Sequence, residues 1–178
     1  MANWSNVRLL VAGPVEAIEL FRREAKPFLG FAKRPRASLP VPLRVKHPLF
    51  ALSMLRGEGG DLFEHSTRNL VGRRRLVQYC FQTSQSEQLP HFQRISQRFR
   101  DLKFVVAWDD SDPDSNGSAY ILRGRKSIYK IGNRRSKRIL LQFIPNPESE
   151  SADLWWQEEE AFRKMLDVSV ERWRHYLR

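Results

Sequence analysis

Alternating apolar positions open the chain. In "VRLLVAGP", Val7, Leu9 and Val11 alternate and the pattern stops at Gly13-Pro14, which predicts a strand and then a helix starting on the proline. Val15, Ile18, Phe21 and Ala25 continue at helical spacing, with Arg22, Arg23 and Glu24 on the polar side, so the helix is expected over 14–26. The pattern then dissolves. Five prolines in "KPFLGFAKRPRASLPVPLRVKHPLF" block a helix and weaken a strand, and 27–75 reads as an insertion with little regular structure.

From residue 76 the periodicity returns. "LVQYCFQT" predicts a strand, and "SEQLPHFQRISQRF" a helix with Ser86 as a possible N-cap and Phe92, Ile95 and Phe99 on one stripe. "LKFVVAW" predicts a strand with Phe104, Val106 and Trp108 on one face, and the turn-rich "DDSDPDSNG" a loop. "SAYILRG" and "KSIYKIG" read as a hairpin joined at Arg123-Gly124-Arg125, and "RILLQFI" as another strand. "NPESESAD" is a linker by composition. In the helix predicted after it, Phe162, Met165, Leu166, Ser169, Trp173, Tyr176 and Leu177 share one side. Its glutamates come early and its Arg/His cluster late, the order the helix dipole favours.

These elements predict an α+β fold: a two-layer ferredoxin-like sandwich, its antiparallel sheet covered by helices on one face, plus a C-terminal helix. The expected domain spans 1–144 and carries the Pro-rich insertion at 27–75; an acidic linker and amphipathic helix occupy 145–178. Phe21, Phe92, Ile95, Phe99, Phe104 and Val106 are expected in one core.

Trp4, Asn6 and "VAG" at 11–13 are followed by Phe81, Thr83, Ile95-Ser96, Phe99, Leu102, Phe104, Asp109-Asp110 and Gly117. In that order they resemble the YubB-type ferredoxin-like family of bacterial phages, plasmids and integrative elements. The resemblance implies a ferredoxin-like fold and a mobile-element setting. It carries no established activity, and so no catalytic residue.

Composition narrows the class. With 178 residues, 41% hydrophobic and 11% aromatic, the chain suits one globular domain. The single cysteine, Cys80, is expected as a small buried thiol in a strand. The first residues lack a basic segment followed by a long apolar core, and no stretch approaches a membrane span, so a soluble cytoplasmic protein is expected. The formal net charge of +11 attracts polyanions, nucleic acid first.

Catalytic chemistry finds little support in the residues. His47, His65, His91 and His175 are scattered without metal-ligand spacing. Asp109, Asp110, Asp112 and Asp114 lack the spacing of a calcium loop and read as a solvated loop. "RGEGGD" at 56–61 lacks the Lys-Ser/Thr of a phosphate loop. No catalytic residue, metal or cofactor is expected. One enzymatic alternative remains, a metal-independent endoribonuclease of the CRISPR-processing type using His with Tyr, Ser or Lys.

"RGRKSIYKIGNRRSKR" at 123–138 holds eight Lys or Arg in sixteen positions and no acid. Edge strands keep cations to deter aggregation, which accounts for "KSIYKI" but not for the density of "NRRSKR". Eight of the chain's twenty acids lie in 145–178, leaving the middle strongly positive. The expected phosphate-binding residues are Arg123, Arg125, Lys126, Lys130, Arg134, Arg135, Lys137 and Arg138, with Tyr129 offering a stacking face. Arg73, Arg74 and Arg75 form a second cluster and "KRPR" at 33–36 a third. The function expected is non-enzymatic binding of RNA or DNA through the phosphate backbone, within a larger assembly. The alternative is a protein-binding inhibitor of a host or defence enzyme, docking through Trp155-Trp156 and the C-terminal helix.

Overall fold

The computed structural model describes residues 5–30, 63–83, 89–109, 116–144 and 154–178. Six strands form one antiparallel sheet: β1 (Ser5–Pro14), β2 (Phe63–Leu70), β3 (Arg74–Thr83), β4 (Lys103–Trp108), β5 (Gly117–Leu122) and β6 (Arg125–Lys130). Their spatial order is β2-β3-β1-β4-β5-β6, and every neighbouring pair is antiparallel. Among the described residues five helices accompany them: α1 (Val15–Gly30), α2 (Leu89–Arg98), α3 (Asn133–Phe143), α4 (Leu154–Glu171) and α5 (Arg174–Leu177).

Strand alternation sends successive side chains of β1 to opposite faces. Val7, Leu9 and Val11 join α1 and α2 in a core that includes Phe21, Phe92, Ile95, Phe99, Phe104 and Val106, the six residues expected together. Phe21 meets Tyr79, Phe99 and Phe104 edge-on at centroid distances of 6.0, 5.3 and 5.8 Å. Leu10 and Ala12 point the other way, where Val105, Trp173 and Leu177 bury them. On that face Trp173 Nε1 donates to Ser118 Oγ (2.8 Å), and Ser118 Oγ donates to the Ser169 carbonyl (3.0 Å). Helices thus cover both faces of the sheet, where the sequence predicts helices on one face and leaves the C-terminal helix unassigned. That helix also breaks before Trp173, separating α4 from α5.

Two expectations are corrected. Part of the presumed irregular insertion is β2, and β3 begins at Arg74 rather than 76. β2 is an edge strand whose Ser66, Thr67, Arg68 and Asn69 are all exposed, so no buried stripe announces it. "RILLQFI" is not a strand but the second half of α3. Ser136 and Ile139 are buried and Leu140 and Phe143 half-buried, at i, i+3, i+4 and i+7 spacing. They pack with Ala161, Phe162 and Met165 of α4. The N-cap expected at Ser86 and the "KRPR" cluster at 33–36 lie outside the described residues, as does the structure of 31–62.

Candidate nucleic-acid interface

The basic run is divided between two elements. Arg123, Arg125, Lys126 and Lys130 belong to the β5–β6 hairpin, and Arg134, Arg135, Lys137 and Arg138 to the first half of α3. All eight are exposed. The β5–β6 register pairs Leu122 with Arg125 across a two-residue turn. Arg123 (φ 51°) and Gly124 (φ 79°) both take positive φ there, as a type I′ hairpin requires. Helix α2 fixes that turn. Gly124 N–H donates to Ser96 Oγ (2.8 Å), Gln93 Nε2 donates to the Gly124 carbonyl (2.9 Å), and Arg123 Nε donates to the Arg100 carbonyl (3.3 Å). A side chain at Gly124 would collide with Gln97 at 2.6 Å, so the turn sits flush against α2.

Along β6 the register sets direction. Lys126 and Lys130 lie opposite Ile121 and Gly117, on the face shared with α1 and α2. Arg125 and Tyr129 lie opposite Leu122 and Ser118, on the face of α4 and α5. Tyr129 is half-buried and packs in the clusters built by Trp173 and by Ile139. The guanidinium of Arg172 sits 5.8 Å from its ring centroid, and Arg135 reaches its hydroxyl at 3.5 Å. The ring expected to stack on bases forms a joint between β6, α3 and the C-terminal helices. Arg172 was invisible as part of this surface, because only folding brings it to Tyr129 from the far end of the chain.

Among the described residues, none of the eight cations forms an ion pair with a carboxylate. The second cluster behaves differently. Arg73 pairs with Glu16 (3.2 Å), Arg75 with Glu19 and Asn69, and Arg74 donates to the main-chain oxygen of Arg178 (2.8 Å). Arg22 also pairs with Glu19 (3.0 Å), and Arg98 with Glu24 (2.8 Å).

The remaining candidates of the sequence have local partners. Asp109, 3% exposed, accepts from the Asn6 backbone N–H (2.6 Å) and from Asn6 Nδ2 (3.1 Å), tying β1 to the end of β4. Asp110, Asp112 and Asp114 lie outside the described residues, as do His47 and the side chains of His65, Trp155 and Trp156. His91 Nδ1 lies 2.9 Å from the Arg94 guanidinium, and burial, then Arg94, holds its pKa below the usual 6.5. His175 rests on the ring of Tyr176 at 3.9 Å. Cys80 is a half-buried free thiol whose sulfur accepts from Gln78 Nε2 at 3.7 Å. Lys103 donates to the main-chain oxygens of Tyr176 (2.6 Å) and Arg178 (3.1 Å), and its pKa is lowered by burial and then by Arg74. Among the described residues no helix is long and apolar enough to cross a membrane.

Compared with protein-family models, curated proteins and solved structures, the chain matches none of them.

Proposed function

We propose that the chain binds nucleic acid without chemically altering it, gripping the phosphate backbone with the surface formed by the β5–β6 hairpin and α3. One observation carries this reading: eight exposed cations without a described carboxylate partner are gathered within residues 123–138, whereas the other exposed arginines are scattered, as Arg23, Arg68, Arg94 and Arg100 are, or paired, as Arg73 and Arg98 are. The placement of charge on α3 adds support. Its first turn holds no acid and Gly132 supplies no capping side chain, while four cations crowd the positive end of the dipole. Folding alone disfavours that arrangement; a bound polyanion relieves it. A bacterial mobile-element setting, a place within a larger assembly and a cytoplasmic site of action belong to the same proposal. So does a ferredoxin-like unit in β1-α1-β2-β3-α2-β4, supported by the strand order β2-β3-β1-β4 and by the common core of α1 and α2.

The test is a salt titration of binding. With a slope of about −0.9 per phosphate contact on duplex DNA, four to six contacts predict roughly 10²- to 10³-fold weaker binding at about 200 mM than at about 50 mM salt. Replacing Arg134, Arg135, Lys137 and Arg138 together by Ala should lower both affinity and slope. Parental binding by this variant at every salt concentration would refute the reading.

A further inference from the structure

Helix α3 carries more than charge. With its buried stripe turned to α4, its solvent side presents Arg134, Arg138, Leu141 and Gln142 at i, i+4, i+7 and i+8, flanked by Arg135 and Lys137. Leu141 is 61% exposed, an apolar side chain left outside on a helix whose own apolar stripe is already packed. The α3 backbone rises about 1.5 Å per residue, so Arg134 and Gln142 stand about 12 Å apart along the axis. That is three to four steps of a duplex at about 3.4 Å per base pair. The rings beside this row, Phe143 and Tyr129, are packed against the cluster of Ile139 and Met165, and Tyr129 is engaged by Arg172 and Arg135 as well. Binders of single strands rely on free rings on which successive bases stack.

We propose that the ligand is double-stranded DNA and that α3 lies in its major groove, while the hairpin cations hold the flanking phosphates. This rests on the nucleic-acid reading above. A helix with its side chains is about 10–12 Å across and a B-form major groove about 12 Å wide, so α3 fits. The major groove of A-form RNA is deep and narrow and does not admit it. Within the groove, Arg134 and Arg138 suit the paired acceptors of guanine, Gln142 the acceptor-donor pair of adenine, and Leu141 the thymine methyl. The clasp of Ser96 and Gln93 on Gly124 fixes the turn beside Arg123 and Arg125, and Arg125 lies on the sheet face that also carries α4 and α5, where it can reach a flanking phosphate.

The experiment uses the full chain and three fluorescent probes of one sequence and length: duplex DNA, duplex RNA and single-stranded DNA. The DNA sequence is first selected by the protein from a randomised duplex pool. Duplex DNA should bind at least about tenfold tighter than either competitor, the discrimination that one or two good base contacts supply. Dimethyl sulfate footprinting should show protection of guanine N7, in the major groove, and not of adenine N3, in the minor groove. R134A/R138A should lose that protection. R125A/K126A should weaken binding yet keep the protection once the duplex is saturated. Selection without enrichment, equal or tighter binding of the RNA duplex or the single strand, or protection of adenine N3 alone overturns the inference and leaves the nucleic-acid reading standing. Failure to bind all three probes overturns that reading as well.

Discussion

Two groups of cations among the described residues differ in what their side chains meet. Around α1 and the β2–β3 hairpin, Arg22, Arg73 and Arg75 meet Glu16 and Glu19, and Arg98 meets Glu24. At the β5–β6 hairpin and α3, eight cations have no such partner among the described residues. Exposed ion pairs contribute little to stability, about 0–1 kcal/mol each. What they change is availability. A paired arginine can reach a phosphate only by giving up its carboxylate, whereas an unpaired one gives up only water and counterions. The difference therefore concerns function more than folding.

The strongest way to break the contrast is to remove each group in turn. R134A/R135A/K137A/R138A should weaken duplex binding by at least roughly 10²-fold at moderate salt, as expected when base contacts of Arg134 and Arg138 and phosphate contacts of Arg135 and Lys137 are lost together. R73A/R75A should change affinity by less than about twofold at the same salt, since these side chains make little net contact with phosphate. Fluorescence anisotropy on one duplex measures both. Equal losses in the two variants would show that pairing does not silence an arginine.

A second experiment releases the paired group instead. E16Q/E19Q breaks three ion pairs and should lower stability by no more than about 3 kcal/mol. It should also steepen the salt slope by about one to two, near 0.9 for each arginine that finds a phosphate. Net charge rises by two in this variant, so D101N/E160Q serves as the matched control: both residues are exposed and neither is ion-paired to a described arginine. A slope that rises equally in the control would assign the effect to the overall field.

Part of this contrast was legible in the sequence, and the rest had physical reasons to be hidden. The first core could be read because α1 and α2 bury large side chains at clean helical spacing, Ile18 and Phe21 in one and Phe92 and Ile95 in the other. The hairpin turn could be read because Gly124 supplies positive φ between two alternating runs. Helix α3 was misread because Ile139-Leu140-Leu141 alone fits a strand as well as a helix. Upstream of Ile139 the helical stripe continues only through the small buried Ser136, and serine carries no hydrophobic signal. Apart from Arg22, whose partner Glu19 lies one helical turn away, whether an arginine is paired could not be read. Arg73 and Glu16 are far apart in sequence, and only the antiparallel pairing of β1 with β3 brings them together. Tyr129 shows the same limit, since Arg172 reaches it through tertiary packing.

The third test concerns placement rather than charge. Ser96 is fully buried, and its hydroxyl accepts from Gly124 N–H while donating to the Gln93 carbonyl. S96A leaves that turn N–H without its partner, at a cost of about 1–3 kcal/mol. The melting temperature should fall by about 2–4 °C per kcal/mol for a chain of this size. Affinity should drop only a few-fold, because the hairpin cations lose their fixed position while α3 is untouched. A loss as large as that of the α3 variant would make the hairpin, not the helix, the principal contact.

The smallest effect is expected at His91, where an unmatched cation acts on a neighbour inside the protein. Burial first, and the Arg94 guanidinium second, hold its pKa below 6.5 in the folded chain. Proton uptake therefore begins in the unfolded chain as the pH falls past 6.5, and the folded state is left behind. Stability should be constant with respect to this group above that pH and should decline below it, levelling off once the folded pKa is passed. H91Q should remove this increment, so the difference in stability between parent and variant should shrink on acidification from neutral to mildly acidic pH. Denaturant melts across that range measure it. The opposite trend, a parent that gains on the variant as the pH drops, would mean that His91 takes up its proton more readily when folded. A carboxylate would then have to sit beside it, and the description of Arg94 as its dominant charged neighbour would be wrong.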